Sequence, residues 1–320
     1  MSKSLRYLKA LADPTRLRLV RVLSQVELSV NEIVRLLDMG QSRVSRHLAI
    51  LAQGGLLESR REGLWVYYRA TPESPARPLL DALEALEWAD PGARETAKAD
   101  LKRAKAALVE RGSRTRQFFD ARAGEWDRLS LELLGGFDLA AFLAMIVDDL
   151  AVNPGVAVDI GCGTGALLGL LADRSRRAIG VDSSPRMLDR AGRRFGARSA
   201  VELRLGEAEH LPLRDGEVDL ALMSLALHHL AEPRAGLAEV ARVCGRDGVF
   251  VLVELGPHDH EELREAQGDR WLGFEPRALG VMAGAAGFVM ERKRRHELPS
   301  GLRLWIYVFR KNGNGGKRNG

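Results

Sequence analysis

The sequence predicts two domains of different class: a small α+β winged helix-turn-helix, followed by a larger α/β domain with a doubly wound, mostly parallel sheet. Three observations carry this. At 320 residues the chain is long enough for two domains. Its first quarter holds amphipathic helical stretches, two of them joined by a tight turn, and then two strand-like runs. From Val156 onward, short apolar strands alternate with helical stretches, and a glycine-rich turn follows the first strand. The expected boundaries are 1–75 for the first domain, 76–115 for a helical dimerisation or linker segment, 116–311 for the second domain and 312–320 for a flexible Gly/Asn-rich tail.

Composition fits globular domains: 46% of residues are hydrophobic and 28% charged. No uninterrupted apolar stretch approaches the roughly 18 residues of a membrane span. Residues 1–10 carry three basic side chains with no apolar run behind them, unlike a signal peptide. Cys162 and Cys244 are the only cysteines, which fits a reducing cytoplasm and excludes a disulfide framework. Charge is uneven. Residues 1–78 hold 13 Lys/Arg against 7 Asp/Glu, a net of +6, whereas the whole chain is +5. The basic quarter points to a polyanionic partner.

Asp13-Pro14 starts a helix: Asp13 caps it, and Pro14 sits where no N–H is needed. Ser29 with Glu32 forms a capping box for the next helix, whose buried stripe is Val30, Ile33, Val34 and Leu37. After the turn Asp38–Gln41, a third helix runs from about Ser42 to Gln53, with Val44, Leu48 and Leu51 inward. Gln41, Ser42, Arg43, Ser45, Arg46 and His47 are left near its outer N-terminal face, short polar and arginine side chains suited to a major groove. Gly54-Gly55 ends the helix, and Leu57–Arg60 and Trp65–Arg69 read as strands around the turn Arg61-Glu62-Gly63. Arg60 and Arg61 form a basic tip able to reach phosphate or a minor groove.

Ala12-Asp13-Pro14-Thr15-Arg16, Gln41 through Leu48 and Gly55-Leu56-Leu57 resemble the DNA-binding domain of ArsR-type repressors, over Leu8 to Arg69. The resemblance implies a double-stranded DNA operator as partner. Metal-sensing members carry paired cysteines in the first helix of the reading motif. Ser29 and Asn31 stand there instead and are poor ligands for a soft metal. Beyond this domain, Leu79, Leu80, Leu83 and Leu86 fall at helical spacing, and Leu101, Ala104, Ala107 and Leu108 form a thin stripe. These helices are read as the contact of a homodimer, because palindromic readout needs a two-fold protein. A solvated spacer is the alternative.

In the second domain, strand Val156–Ile160 runs into Gly161-Cys162-Gly163-Thr164-Gly165 and then an apolar helix, Leu167 to Ala172. Such a turn lets a ligand approach the backbone closely. Ala178–Asp182 is a second strand ending in a carboxylate placed for a ribose diol. Ser183-Ser184-Pro185 begins the next helix, with Met187 in its first turns. Val201–Leu205, Val218–Ser224 and Val249–Leu255 supply further strands.

Asp159 through Gly165, Asp182, Glu207-Ala208 and Asp219 through His229 resemble class I S-adenosylmethionine-dependent methyltransferases, close to the UbiE-like group, over residues 116–310. The resemblance implies S-adenosylmethionine as cofactor and S-adenosylhomocysteine as product. Asp159, Gly161, Cys162, Gly163 and Gly165 would line the methionine portion. Asp182 would hold the ribose, Met187 would pack on adenine, and Glu207 would accept from its amino group, with Ser183, Ala208 and Ser224 alongside. His228 and His229 follow the fourth strand at the substrate mouth, as candidates for a base or a positioning group. Phe119, Trp126 and Asp127 resemble the lid, and Cys162 and Cys244 are read as packing residues rather than nucleophiles. Trp271-Leu272-Gly273-Phe274 is read as packing on the C-terminal helix and strands. His258-Asp259-His260 lacks clear further ligands, so no metal site is expected.

DNA methylation is disfavoured. Ser224-Leu225-Ala226-Leu227 replaces the Pro-Pro-aromatic motif of amino-methylating enzymes, and no proline precedes either cysteine. Arsenite methylation would need several suitably placed cysteines. The sequence therefore points to a transcriptional regulator that senses S-adenosylmethionine or S-adenosylhomocysteine, or that methylates a small molecule. The alternative is a small-molecule methyltransferase whose winged helix mainly dimerises.

Overall fold

A computed structural model of the chain describes residues 2–62, 65–71, 74–150, 152–196, 198 and 200–312, in two compact units, Met1–Arg111 and Gly112–Gly320. Gly63 of the expected turn and residues 313–320 of the expected tail lie outside the described residues.

The first unit runs α1 (Lys3–Leu11), α2 (Pro14–Leu23), β1 (Leu28–Ser29), α3 (Val30–Leu37), α4 (Gln41–Gln53), β2 (Leu57–Glu62), β3 (Trp65–Ala70), α5 (Arg77–Ala89) and the start of α6 (Pro91–Arg122). The expected caps form. Asp13 Oδ1 accepts from the Arg16 N–H at 3.1 Å. Ser29 Oγ accepts from the Glu32 N–H at 3.3 Å, while Glu32 Oε2 accepts from the Ser29 N–H at 2.8 Å. The three strands order as β1-β3-β2, all antiparallel. Leu19, Leu23, Leu28, Ile33, Leu48, Leu51 and Leu56 are fully buried between the helices and this sheet. Each contributes about 1.5–3 kcal/mol by leaving water.

The apolar stripe after residue 76 is used inside this unit. Leu79, Leu80, Leu83, Ala104 and Leu108 pack against its core. Two ion pairs fix α6 there. Arg18 donates to both oxygens of buried Asp100 at 2.7 and 2.9 Å, and Arg111 pairs with buried Glu32. Burial alone would raise the Glu32 carboxyl. The Arg111 guanidinium and the Ser29 donors outweigh it and hold the group below its ordinary range.

The second unit continues through α7 (Trp126–Leu134), α8 (Leu139–Asp149), β4 (Val156–Ile160), α9 (Leu168–Ala172), β5 (Arg177–Asp182), α10 (Pro185–Phe195), β6 (Val201–Leu205) and β7 (Val218–Ser224). A short 3-10 turn (Leu227–His229) follows, then α11 (Pro233–Val243), β8 (Cys244–Leu255), α12 (Leu263–Ala266), α13 (Pro276–Ala285), β9 (Phe288–Glu297) and β10 (Arg303–Lys311). Seven strands form one sheet in the order β6-β5-β4-β7-β8-β10-β9. β6 through β8 are parallel, and β10 is antiparallel to both neighbours. Two buried clusters flank the sheet, one including Ile160, Phe250 and Tyr307, the other Leu143, Leu168 and Ile306. Trp271 and Phe274 stack at 5.6 Å within the first cluster.

Strand order reverses beside β4, and sheets of this architecture place ligands outside the carboxyl ends of the strands at such a point, here β4 and β7. Among the described residues, no single helix is long and apolar enough to cross a membrane.

Candidate functional site

In the first unit, α4 exposes Gln41, Ser42, Arg43, Ser45 and Arg46 and buries Val44, His47, Leu48 and Leu51. His47 therefore departs from the expected outer face. At about 100° per residue, the buried stripe at 44, 48 and 51 also takes in position 47. His47 is 8% exposed, with Nδ1 3.8 Å from Asp13 Oδ1. Arg61 is exposed, but Arg60 is not a bare tip. Its guanidinium lies 3.1 Å from Glu27 Oε2 and 5.1 Å from the Tyr67 ring centroid. Ser29 is buried as the helix cap, and Asn31 is exposed.

In the second unit, the glycine turn is bound to the end of β5. Gly161 and Cys162 donate their N–H groups to Val181 O at 2.8 and 3.0 Å. Gly163 donates to Asp182 Oδ2 and Ser184 to Asp182 Oδ1, both at 2.8 Å. Gly161 and Gly165 need to be glycine twice over. Both have positive φ, and a Cβ would stand 2.7 Å from Ala226 Cβ at the first and 2.7 Å from the Phe195 ring at the second. Asp159, one strand over, is buried. Burial, then the charge of Asp182, push its carboxyl up to about 7. Burial also raises Asp182, against the pull of three backbone N–H donors. Two poorly solvated acidic groups thus stand beside a turn in which Gly161, Gly163 and Gly165 carry no side chain.

Met187 is buried in the first turn of α10, where Ser184 rather than Ser183 caps the helix. Ser184 also donates its hydroxyl to Asp120 Oδ1 at 2.5 Å, a contact that the sequence does not signal. Ser183, Ala208 and Ser224 are half-buried, and Glu207 is exposed. The following residue, Leu225, has φ +51, an uncommon backbone for a branched side chain at the mouth of β7. Asp219 is structural: Oδ2 accepts from the Gly155 and Val156 N–H groups at the other end of β4. Burial pushes the Cys162 thiol well up and that of Cys244 to about 12, so both stay protonated.

The lid residues reach this end. Thr164 donates its hydroxyl to Asp127 Oδ1, and Arg194 holds Asp127 Oδ2 at 2.7 Å. Phe119 stands edge-on to Trp126 at 5.0 Å and to His229 at 4.8 Å. His228 and His229 are both buried. His228 Nδ1 lies 2.6 Å from Glu254 Oε1, and His229 Nδ1 lies 3.1 Å from Gly268 O. His228 Nε2 faces Asp269 Oδ1 at 3.5 Å. Burial, then His228, push His229 well below its ordinary range. Glu254 and Asp269 escape a sequence reading. Glu254 does leave a trace, a lone carboxylate inside the apolar run Val249–Leu255. Asp269 leaves none, because only the fold brings its loop to the histidines.

Comparison with known proteins matches both units. Residues 13–59 fit the family described as bacterial regulatory protein, arsR family, and residues 158–252 fit the family described as methyltransferase domain. An arsenic resistance transcriptional regulator of Pseudomonas putida is 41% identical over 92 residues, 27% of this chain and 70% of that protein. The malonyl-(acyl-carrier protein) O-methyltransferase of Serratia marcescens is 30% identical over 183 residues, 54% of this chain and 68% of that protein. Of two further curated relatives, the chain spans only 37% and 59% of the length. A solved methyltransferase of Thermotoga maritima, described as a possible histamine N-methyltransferase, gives a TM-score of 0.50 at 22% identity, over 61% of this chain and 99% of that one, a likeness of fold. The chain is thus a fusion, whose first unit belongs to the arsR family of bacterial regulatory proteins and whose second belongs to the methyltransferase domain family.

Proposed function

We propose that the chain is a DNA-binding transcriptional regulator whose second unit binds S-adenosylmethionine and S-adenosylhomocysteine. The paired carboxylates Asp159 and Asp182 beside the glycine-rich turn carry this reading. S-adenosylmethionine brings a sulfonium, an ammonium and a ribose diol, and when bound it supplies an electrophilic methyl group. Two crowded, poorly solvated carboxylates favour a cation. The Asp182 carboxylate accepts from backbone N–H groups, Gly163 on one oxygen and Ser184 on the other among them, and keeps lone-pair capacity for a hydroxyl. The turn Gly161–Gly165 lets a ligand lie against its backbone.

On the first unit, Arg43 and Arg46 stand exposed on α4 with Gln41, Ser42 and Ser45. Gly40 caps α4 without a side-chain hydrogen bond, leaving the first N–H groups for a phosphate. Leu5 and Leu8 on α1 and Leu86 and Trp88 on α5 are 44–71% exposed, apolar surface that supports the homodimer. A working small-molecule methyltransferase is the second reading, favoured by the buried His229 against Phe119 and Trp126 on the acceptor side.

Calorimetric titration of the full chain with each nucleoside tests the proposal. Both should bind, and Asp182→Ala should weaken binding at least about tenfold, from charged hydrogen bonds worth roughly 1.5–3 kcal/mol. Absence of binding by either, or equal affinity in the variant, defeats it.

A further inference from the structure

Three segments of the second unit meet behind the end of β7: the 3-10 turn with His228 and His229, the end of β8 with Glu254, and the loop with Gly268 and Asp269. Backbone bonds hold them together, since Arg270 and Trp271 both donate to His228 O at 3.1 Å. We propose that His228, His229 and Asp269 form a binding site for a first-row divalent metal ion, zinc foremost. The sequence offered no metal site, because its histidine pair lies forty positions from the carboxylate that would complete the set.

The first support is an unanswered carboxylate. Asp269 is 5% exposed, and neither carboxylate oxygen has a hydrogen-bond partner. A buried charge without partners is strongly unfavourable, and such groups normally pair or bind a metal. Ligating atoms of His228, His229 and Asp269, one from each, lie within 4.8 Å of one another. His228 Nε2 and Asp269 Oδ1 are 3.5 Å apart. That is close to the edge of a tetrahedron whose bonds are about 2.0–2.1 Å, as for zinc with nitrogen and oxygen ligands.

The second support is the set of groups behind the rings. A ligating histidine usually donates its other ring N–H to a carboxylate or carbonyl, which fixes tautomer and orientation. Both rings do so here. His228 Nδ1 meets Glu254, itself 0% exposed, and His229 Nδ1 meets the Gly268 carbonyl. With Nδ1 so engaged, Nε2 is the nitrogen that each ring would present to a metal. Two imidazoles with one carboxylate suit zinc or ferrous iron, whereas magnesium and calcium prefer all-oxygen sites. Three protein ligands leave a further coordination position open. His229 also touches Phe119 and Trp126, so the ion would lie beside the lid residues. The proposal does not depend on nucleoside binding, and it stands if neither nucleoside binds.

The alternative is a metal-free ion pair, with His228 as an imidazolium between Glu254 and Asp269. Zinc titration of tag-free full-length protein, previously stripped with a chelator, separates the two. Binding is followed by metal analysis, thermal melting and the visible spectrum of a cobalt-substituted sample. One zinc per chain and a raised melting temperature are expected. Asp269→Asn should abolish both effects. It should not weaken the metal-free fold, because it removes a buried carboxylate that accepts no hydrogen bond. Glu254→Gln should lower zinc affinity about 10–100-fold, the usual effect of losing a group behind a ligand. The double variant His258→Ala/His260→Ala should bind as the parent does. No zinc binding by the parent, or undiminished binding by Asp269→Asn, overturns the assignment.

Discussion

At the scale of single residues, the position of Asp159 predicts that ligand binding at the proposed site depends on pH. Its carboxyl titrates at about 7 in the fold, against roughly 3.9 in an unfolded chain. The folded value is raised, so its stabilising effect is complete below about pH 4 and is lost as pH rises through about 7. A cationic ligand reverses this, because it favours the ionised form. Affinity for S-adenosylmethionine should climb by up to about tenfold per pH unit below 7 and then level off. Asp159→Asn should flatten the profile. Calorimetry across about pH 5–8 checks this, and parallel profiles for parent and variant would remove Asp159 from the ligand's surroundings. Asp159 and Asp182 were legible in the sequence because each stands at or one residue before the end of a short apolar strand, where chain direction alone fixes the position. Glu254 and Asp269 were not. Their partners are non-local, and no periodicity encodes a contact between a strand end and a distant loop.

Among the elements, the capped helices and parallel strands were readable, because their signals are local: Asp13-Pro14, Ser29 with Glu32, and runs such as Val156–Ile160. What sequence alone missed is which side of an element faces its neighbours. His47 is polar, yet helix geometry puts it in the buried stripe of α4. Arg60 looked like a wing tip, yet β2 brings it to Glu27 and Tyr67. Of the α6 stripe read as a dimer contact, Ala104 and Leu108 pack on their own unit, where Asp100 and Arg111 hold the helix by ion pairs. These placements divide the arginines by role. Arg46→Ala on the exposed face of α4 should weaken specific DNA binding by about 1–3 kcal/mol, as expected for a lost base contact. Arg61→Ala should lower affinity for all duplexes alike and reduce the salt slope by about one. Quantitative gel shifts at several salt concentrations distinguish the two, and an Arg46→Ala protein that binds every duplex like the parent contradicts the recognition role of α4.

For the whole molecule, the question is whether ligand binding in one unit is felt by the other. The first unit carries Ser29 and Asn31 where metal-sensing relatives carry thiolates, so a soft metal has no handle at that position. A regulator without that input needs another, and the fused unit is the one the chain supplies. If a nucleoside binds the DNA-competent and DNA-incompetent forms unequally, it must shift DNA affinity, and DNA must shift nucleoside affinity by the same factor. Typical coupling is about 1–3 kcal/mol, or roughly 5–150-fold. Tight binding alone achieves nothing, since a ligand with equal affinity for both forms leaves their ratio unchanged. The decisive experiment titrates operator DNA into the full chain at one fixed salt concentration, without ligand, with S-adenosylmethionine and with S-adenosylhomocysteine. A separation of the curves within that range is expected, and the sign of the shift says whether the ligand releases DNA or retains it. The two nucleosides differ by one methyl group and one positive charge, so the carboxylate pair should make their effects unequal in size. Three superimposable curves would leave the two functions uncoupled by these ligands and favour the working methyltransferase, with its acceptor or product as the next effector to titrate.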